Sequence, residues 1–282
     1  MKIKISAEST VDLTKELLAK YDISTLPFQI FLGDKNGLDG EITSDEIIAY
    51  VDKTGVLPKT GAINVITYEE YFEELLKEND AVIHFSLSSE LSSSYNNAVN
   101  ASKNFKNVYV IDSSSLSTGI ALLCIYAKKL VDSGEDAKDI YEKCLKRVPS
   151  VQASFVLKRL DYLYKGGRCS GLALFGANLL KIRPQIIVKD GKMIPGKKYR
   201  GNFDHVVKGY VADVLQTFNT PDLSEVFITY TTAEDELVQS VKDTLVDYGF
   251  QNINITRAGG TITSHCGENC LGILFINDGG NV

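Results

Sequence analysis

Long apolar runs are missing from this sequence of 282 residues: the longest, Ile120 to Ala127, falls far short of the roughly 20 residues that cross a bilayer. An excess of positive charge is missing too. Lys and Arg number 30 against 36 Asp and Glu, and the formal net charge of -6 removes any overall pull toward nucleic acid or an anionic membrane. No nucleic-acid partner is therefore expected. The five cysteines, Cys124, Cys144, Cys169, Cys266 and Cys270, are odd in number and follow no disulfide framework, which fits a reducing compartment. His265, Cys266 and Cys270 lie close together, but a closed zinc site wants about four ligands at paired spacings, and no second pair follows. No metal is expected. The amino terminus, MKIKISAEST, alternates Lys and Ile and reads as a first strand, not as a signal peptide. These features together predict a cytoplasmic protein.

What is present is the composition of an ordinary globular protein, 44 % apolar and 23 % charged. Strand-like and amphipathic helical runs alternate through the first 150 residues, which predicts an α/β unit with a mainly parallel sheet. Ile3 and Ile5 begin a strand, Ser9 or Thr10 offers a cap for a helix through Leu13, Leu17 and Leu18, and Ile23 to Leu32 reads as one extended segment. Strands at Ala81 to Phe85 and Val108 to Asp112 are set between helices. Beyond Pro149 the pattern changes: a strand from Val151, a short helix in LDYLYKGGRCSG, a hairpin about KDG at 189–191, then further strands and helices predict a second α/β (α+β) lobe. The expected division is 1–150 and 151–282, with a ligand between the lobes and the Lys59–Gly61 segment able to face the second one. No repeat, low-complexity tract or long linker interrupts it.

Polar clusters fall where strands end: Glu8 to Thr10, Lys59 to Gly61, Ser88 to Ser94, Asp112 to Ser115 and Ser264 to Gly267. Open α/β sheets bind ligands at the carboxyl ends of their strands, although each cluster alone also reads as helix capping or turn chemistry. Six serines crowd Ser86 to Ser94. One or two would cap a helix, and the surplus suggests a cradle of donors for a carboxylate or phosphate. The motifs G-x-x-x-x-G-K-[ST] and G-x-G-x-x-G are absent from the places that would give them meaning. A nucleophilic serine with His265 as base and Asp112 or Glu8 as orienter is an alternative, a serine-dependent lipid or ester hydrolase, but no serine sits in a G-x-S-x-G elbow. A non-catalytic carboxylate site needs only donors, for which Thr60, Ser92 and His265 are candidates. Of the three histidines, His84 sits in a strand and reads as structural, whereas His265 lies in RAGGTITSHCG, read as a glycine-punctuated loop.

Seven motifs in order, ESTVDL, PKTG, SSELSSSY, VIDSSSLSTG, LDYLYKGGRCSG, KIRPQI with the KDG hairpin and Arg200, and SHCGENCLG, make the chain resemble the DegV family of bacterial fatty-acid-binding proteins. The resemblance implies two lobes with an acyl chain buried between them and its carboxylate held by Thr60, Ser92 and His265. Ser93, through its N–H, and Ser9, through its hydroxyl, are further donors on the same grounds. It also implies a carrier, not a catalyst, that presents a long-chain fatty acid to a separate fatty acid kinase, with no cofactor besides the bound acid, Arg168 and Arg200 as partner contacts, a monomeric state, and transient membrane contact left open. The sequence departs from the family pattern at Glu8, Gly61, Ala62, Ser93, Ser94 and Gly267-Glu268-Asn269. Loss of a donor at position 61 and a new carboxylate at Glu268 raise the alternative of a paralogue for another small carboxylate. Phe28, Ile30, Leu163, Phe175 and Leu179 are candidate tunnel or core residues.

Overall fold

The computed structural model describes residues 1–169 and 183–280. In chain order the first half contains β1 (Ile3–Glu8), α1 (Lys15–Lys20), β2 (Ile23–Leu26), β3 (Gln29–Leu32), β4 (Lys35–Leu38), α2 (Ser44–Thr54), β5 (Lys59–Gly61), α3 (Val65–Leu76), β6 (Ala81–Ser86), α4 (Ser94–Ser102), β7 (Val108–Asp112), α5 (Thr118–Asp132) and α6 (Ala137–Arg147). The second half contains β8 (Val151–Leu157), α7 (Asp161–Gly166), β9 (Arg183–Lys189), β10 (Lys192–Tyr199), α8 (Phe203–Thr217), β11 (Val226–Tyr230), α9 (Asp235–Tyr248), β12 (Ile253–Arg257), α10 (Gly260–Cys266) and β13 (Cys270–Ile276).

Strands β2-β1-β6-β7 form one sheet in that order, every pairing parallel. All six residues of β6 are buried, as a central parallel strand covered on both faces requires. After Pro149 the sheet order is β10-β9-β8-β13-β11-β12, antiparallel except between β11 and β12. The mixed α/β architecture with a parallel first sheet is thus as the sequence predicts. A small antiparallel sheet, β4-β3-β5, is not foreseen in the sequence pattern.

Three local differences have physical reasons. Ile23 to Leu32 is broken at Pro27, which has no N–H to continue a ladder, so β2 joins the parallel sheet and β3 the small one. Ser9–Val11 is a single 3-10 turn ended by Asp12 in the left-handed region (φ 53°), and the cap of the following helix is Thr14, whose Oγ1 accepts the Leu17 N–H at 3.3 Å. The segment around His265 is a helix, α10, with Gly259 in extended conformation at its N-cap and Gly267 at φ 68° just past its end. Glycine at the two ends of a helix punctuates it without breaking it.

The longest apolar run forms the middle of α5, where ten successive residues from Thr118 to Ala127 are buried. A helix apolar on all sides needs cover on all sides. One continuous cluster accordingly runs from Ile5 on β1 through Leu123 on α5 to Phe155 on β8 and Leu274 on β13, across the change of sheet at Pro149.

Candidate functional site

The small sheet brings Thr60 on β5 into register with Ile30 on β3, and α10 places His265 opposite it. Thr60 Oγ1 and His265 Nε2 are 2.9 Å apart across 205 residues of chain. The serine run reaches the same place from β6. Ser92 Oγ bonds to Ser94 Oγ at 3.0 Å and accepts the Ser94 N–H at 3.2 Å, while Ser94 Oγ accepts the N–H of Ile63, three residues beyond Thr60. Ser93 is the N-cap of α4, and no oxygen among the described residues accepts its own N–H.

These groups line a cavity with about 650 Å³ of empty space, counting its opening to solvent. Thr60, Ser92, Ser93, Arg168 and His265 supply its polar wall, and Phe28, Leu87, Leu91, Leu116, Met193 and Ile262 much of the rest. An adjoining cavity of about 330 Å³ shares Leu116, Ile262 and Cys266 with the first and continues to Phe155, Gly272 and Leu274. A few convergent donors on a mainly apolar wall suit an amphiphile with one anionic end.

Burial, reinforced by the Arg168 guanidinium, lowers the His265 pKa to about 4, so the ring is neutral at pH 7. Its Nδ1 is buried and has no hydrogen-bond partner among the described residues. Gly166 backs onto that atom, where a β-carbon would come within 2.8 Å. With the proton on Nε2, the imidazole donates to Thr60 Oγ1 and leaves the threonine proton free for a ligand oxygen. Arg168 itself is exposed at the cavity wall, its Nη1 donating to the Gly166 carbonyl at 2.7 Å. It stands beside the polar groups and not on a remote surface. Arg200 is exposed after β10, does not line the cavity, and makes no hydrogen bond or ion pair with the described residues.

Ser9 is a correction to the expected donor set. Its hydroxyl donates to Asp39 Oδ2 at 2.9 Å and accepts the Phe28 N–H at 3.2 Å, and it does not line the cavity. The other serines divide the labour of the run: Ser86 donates to Glu8, Ser88 donates to the Gly191 carbonyl of the KDG hairpin, and the Ser89 N–H points to Asp112. Glu8 is fully buried and accepts from Tyr68, Ser86 and the Leu87 N–H at 2.6, 2.6 and 2.7 Å, so it braces the start of the serine loop from beneath. His84, bonded to Ser6 at 2.9 Å and to Glu8 at 3.4 Å, is a buried structural residue. Glu268 lies 4.0 Å from the Arg159 guanidinium and accepts from Asn269 Nδ2 at 3.1 Å. A β-carbon at Gly61 would meet Phe31 at 3.1 Å, so a larger residue there needs that ring to shift. Phe28 lines the cavity, Ile30 packs in a separate cluster with Leu32, Ile42 and Ile47, Leu163 is buried without lining it, and Phe175 and Leu179 lie outside the described residues.

Sequence reasoning misses Asp12 and Asp39. The Gly259 N–H donates to Asp12 Oδ1 at 2.8 Å, and the N–H groups of Gly260 and Thr261 donate to Asp39 at 2.8 and 3.2 Å. Two acidic side chains from the first half therefore hold the start of the helix that carries His265. The signal was faint: Asp12 lies in the ESTVDL motif but reads there as an ordinary turn residue.

A hydrolase would need His265 between a serine and an acid, but its Nε2 faces Thr60 and no carboxylate among the described residues bonds to its Nδ1. No group of three or more metal-ligating side chains is placed to hold a metal ion among the described residues.

The model of the DegV family, described as uncharacterised protein, DegV family, matches residues 2–278. The chain belongs to the DegV family. A fatty acid-binding protein of Thermotoga maritima is 30 % identical over 281 residues, covering 96 % of each chain. A DegV family protein from Thermus thermophilus, whose structure is titled for fatty acid binding, superimposes with a TM-score of 0.90 over 99 % of this chain and all of that one; at 22 % identity it shows the shared fold. A stearic acid-binding protein from Eubacterium ventriosum is 25 % identical with a TM-score of 0.82, over 99 % of this chain and 100 % of that one. Within the DegV fold the cavity lies between the carboxyl ends of the parallel strands and α10, and no described helix is long and apolar enough to cross a membrane.

Proposed function

We propose that this DegV protein binds one long-chain fatty acid, its carboxylate received by Thr60, Ser92, the Ser93 N–H and His265, and presents that carboxylate to a separate fatty acid kinase without performing chemistry itself. The observation that carries this reading is the gathering of Thr60, Ser92, Ser93 and His265 on one wall of a mainly apolar cavity. The fatty acid-binding relative from Thermotoga maritima and the stearic acid-binding neighbour support it. Most of the affinity comes from the chain: at about 0.8 kcal/mol per methylene, sixteen carbons contribute about 11 kcal/mol before ordering costs of several kcal/mol. The head-group donors set polarity and register, and Arg168, exposed at the wall, adds an attractive charge for the carboxylate and a contact for the partner. Arg200 belongs to the partner surface only. The carrier acts in the cytoplasm as a monomer of two lobes, 1–150 and 151–282, and needs no cofactor.

Native mass spectrometry of the purified protein, followed by mass spectrometry of its organic extract, tests the reading. One stoichiometric fatty acid is expected. A protein that is empty and takes up none of a panel of acids sinks it, and would return attention to another small carboxylate.

A further inference from the structure

The two adjoining cavities share three wall residues, Leu116, Ile262 and Cys266. The first holds the polar groups; the second is lined chiefly by Phe155, Ala258, Gly272 and Leu274 with threonine methyl-bearing positions Thr229 and Thr231. An acyl chain anchored at Thr60 and His265 therefore enters the second chamber only by passing the shared wall. Leu116 and Cys266 are buried in the main core, 5 % and 4 % exposed, and have little freedom to yield. Ile262 is only partly buried and packs against that core from the cavity side.

Ile262 also stands at a set distance from the head-group site. It lies three residues before His265 on α10, on the same helix face, about 4.5 Å along the axis. The first turn of α10 is tied down by Asp12 and Asp39, so the imidazole and the septum cannot move independently. A β-branched side chain on a helix has essentially one χ1 rotamer, which makes it a defined wall and not a flexible flap.

From this geometry we infer that Ile262 is the chain-length determinant of the site: it separates a chamber that any medium-chain acid fills from a second chamber that only a long chain occupies, and its size sets the preference between them. The inference rests on the fatty-acid reading above and adds to it the residue that measures the chain.

The test is the ratio of stearate to decanoate affinity, measured by competition against a fluorescent fatty acid. In Ile262→Phe the larger ring closes the passage, and the ratio should fall at least tenfold with decanoate binding kept. In Ile262→Ala the passage widens, and the ratio should rise; this variant shortens a side chain at a partly buried position and reads the proposal even where the Phe variant fails to fold. A ratio unchanged in Ile262→Ala, with the parent protein binding both acids, overturns the septum while leaving the fatty-acid reading intact. A parent protein that binds neither acid overturns both.

Discussion

His265 is neutral at pH 7 because burial and the Arg168 charge both oppose its protonation, with the pKa lowered to about 4. With its one proton given to Thr60, the neutral imidazole would act on a ligand carboxylate through the threonine hydroxyl it orients, a neutral hydrogen bond worth about 1 kcal/mol. His265→Ala should therefore weaken palmitate binding severalfold at pH 7 by calorimetry, and affinity in the parent should stay level between pH 6 and 8. A rise in affinity on going from pH 8 to 6 would show a charged imidazole instead. The depressed pKa makes the His265 contribution to stability complete above its ordinary value of 6.5 and lost as the pH falls through about 4. Asp12 has the opposite sign: burial is the main cause that raises its pKa to about 8, against the lowering effect of its bonds from Ser117 and Gly259. Its contribution is full below the ordinary carboxylate range and is lost as pH rises through about 8. Asp12→Asn keeps an oxygen for the Gly259 N–H and tolerates the left-handed backbone at that position. The melting temperature of this variant should decline less between pH 6 and 9 than that of the parent, with a gap of at least about 1 kcal/mol at pH 9. Parallel curves would mean that the aspartate is already ionised in the folded protein at pH 6.

At the scale of elements, α10 is decisive. Seven residues make a helix about 10 Å long, too short to persist without outside support. Asp39 supplies that support by accepting the Gly260 and Thr261 N–H groups and is itself held by Ser9. Asp39→Ala strands two helix-end donors at once and should cost about 2 to 3 kcal/mol, seen as a lower melting temperature, and should also weaken acid binding because His265 rides on the same helix. Ser9→Ala removes one hydroxyl from the same carboxylate and leaves both N–H bonds, so its effect on each readout should be clearly smaller. Equal effects would show that Ser9 does more than orient Asp39.

For the molecule as a whole, the cavity lies where elements from both halves of the chain meet: Phe28, Thr60 and Leu116 come from the first, Met193, Ile262 and His265 from the second. A ligand bound there joins groups that are apart in the unfolded chain, so it stabilises only the folded form. Saturating acid at about 100 times its dissociation constant adds about 2.7 kcal/mol, or roughly 5 to 10 °C in melting temperature for a chain of this size. Delipidated protein scanned with and without palmitate checks this, and no shift with palmitate present would mean that the folded protein does not bind the acid.

Local pattern by itself determined the alternation of strands and helices, the parallel first sheet, the hairpin at KDG and, through ordered motifs, the family. These are legible because apolar periodicity and turn residues act over a few neighbours, where the sequence is the environment. The meeting of Thr60 with His265, the folding of RAGGTITSHCG into a helix, the withdrawal of Ser9 to Asp39 and the placing of Arg168 beside the imidazole were decided only by tertiary structure. Each depends on partners tens to hundreds of residues away. A seven-residue helix with glycine at its start has too little intrinsic preference to announce itself, and becomes a helix here because Asp12 and Asp39, more than 200 residues earlier, accept its first N–H groups.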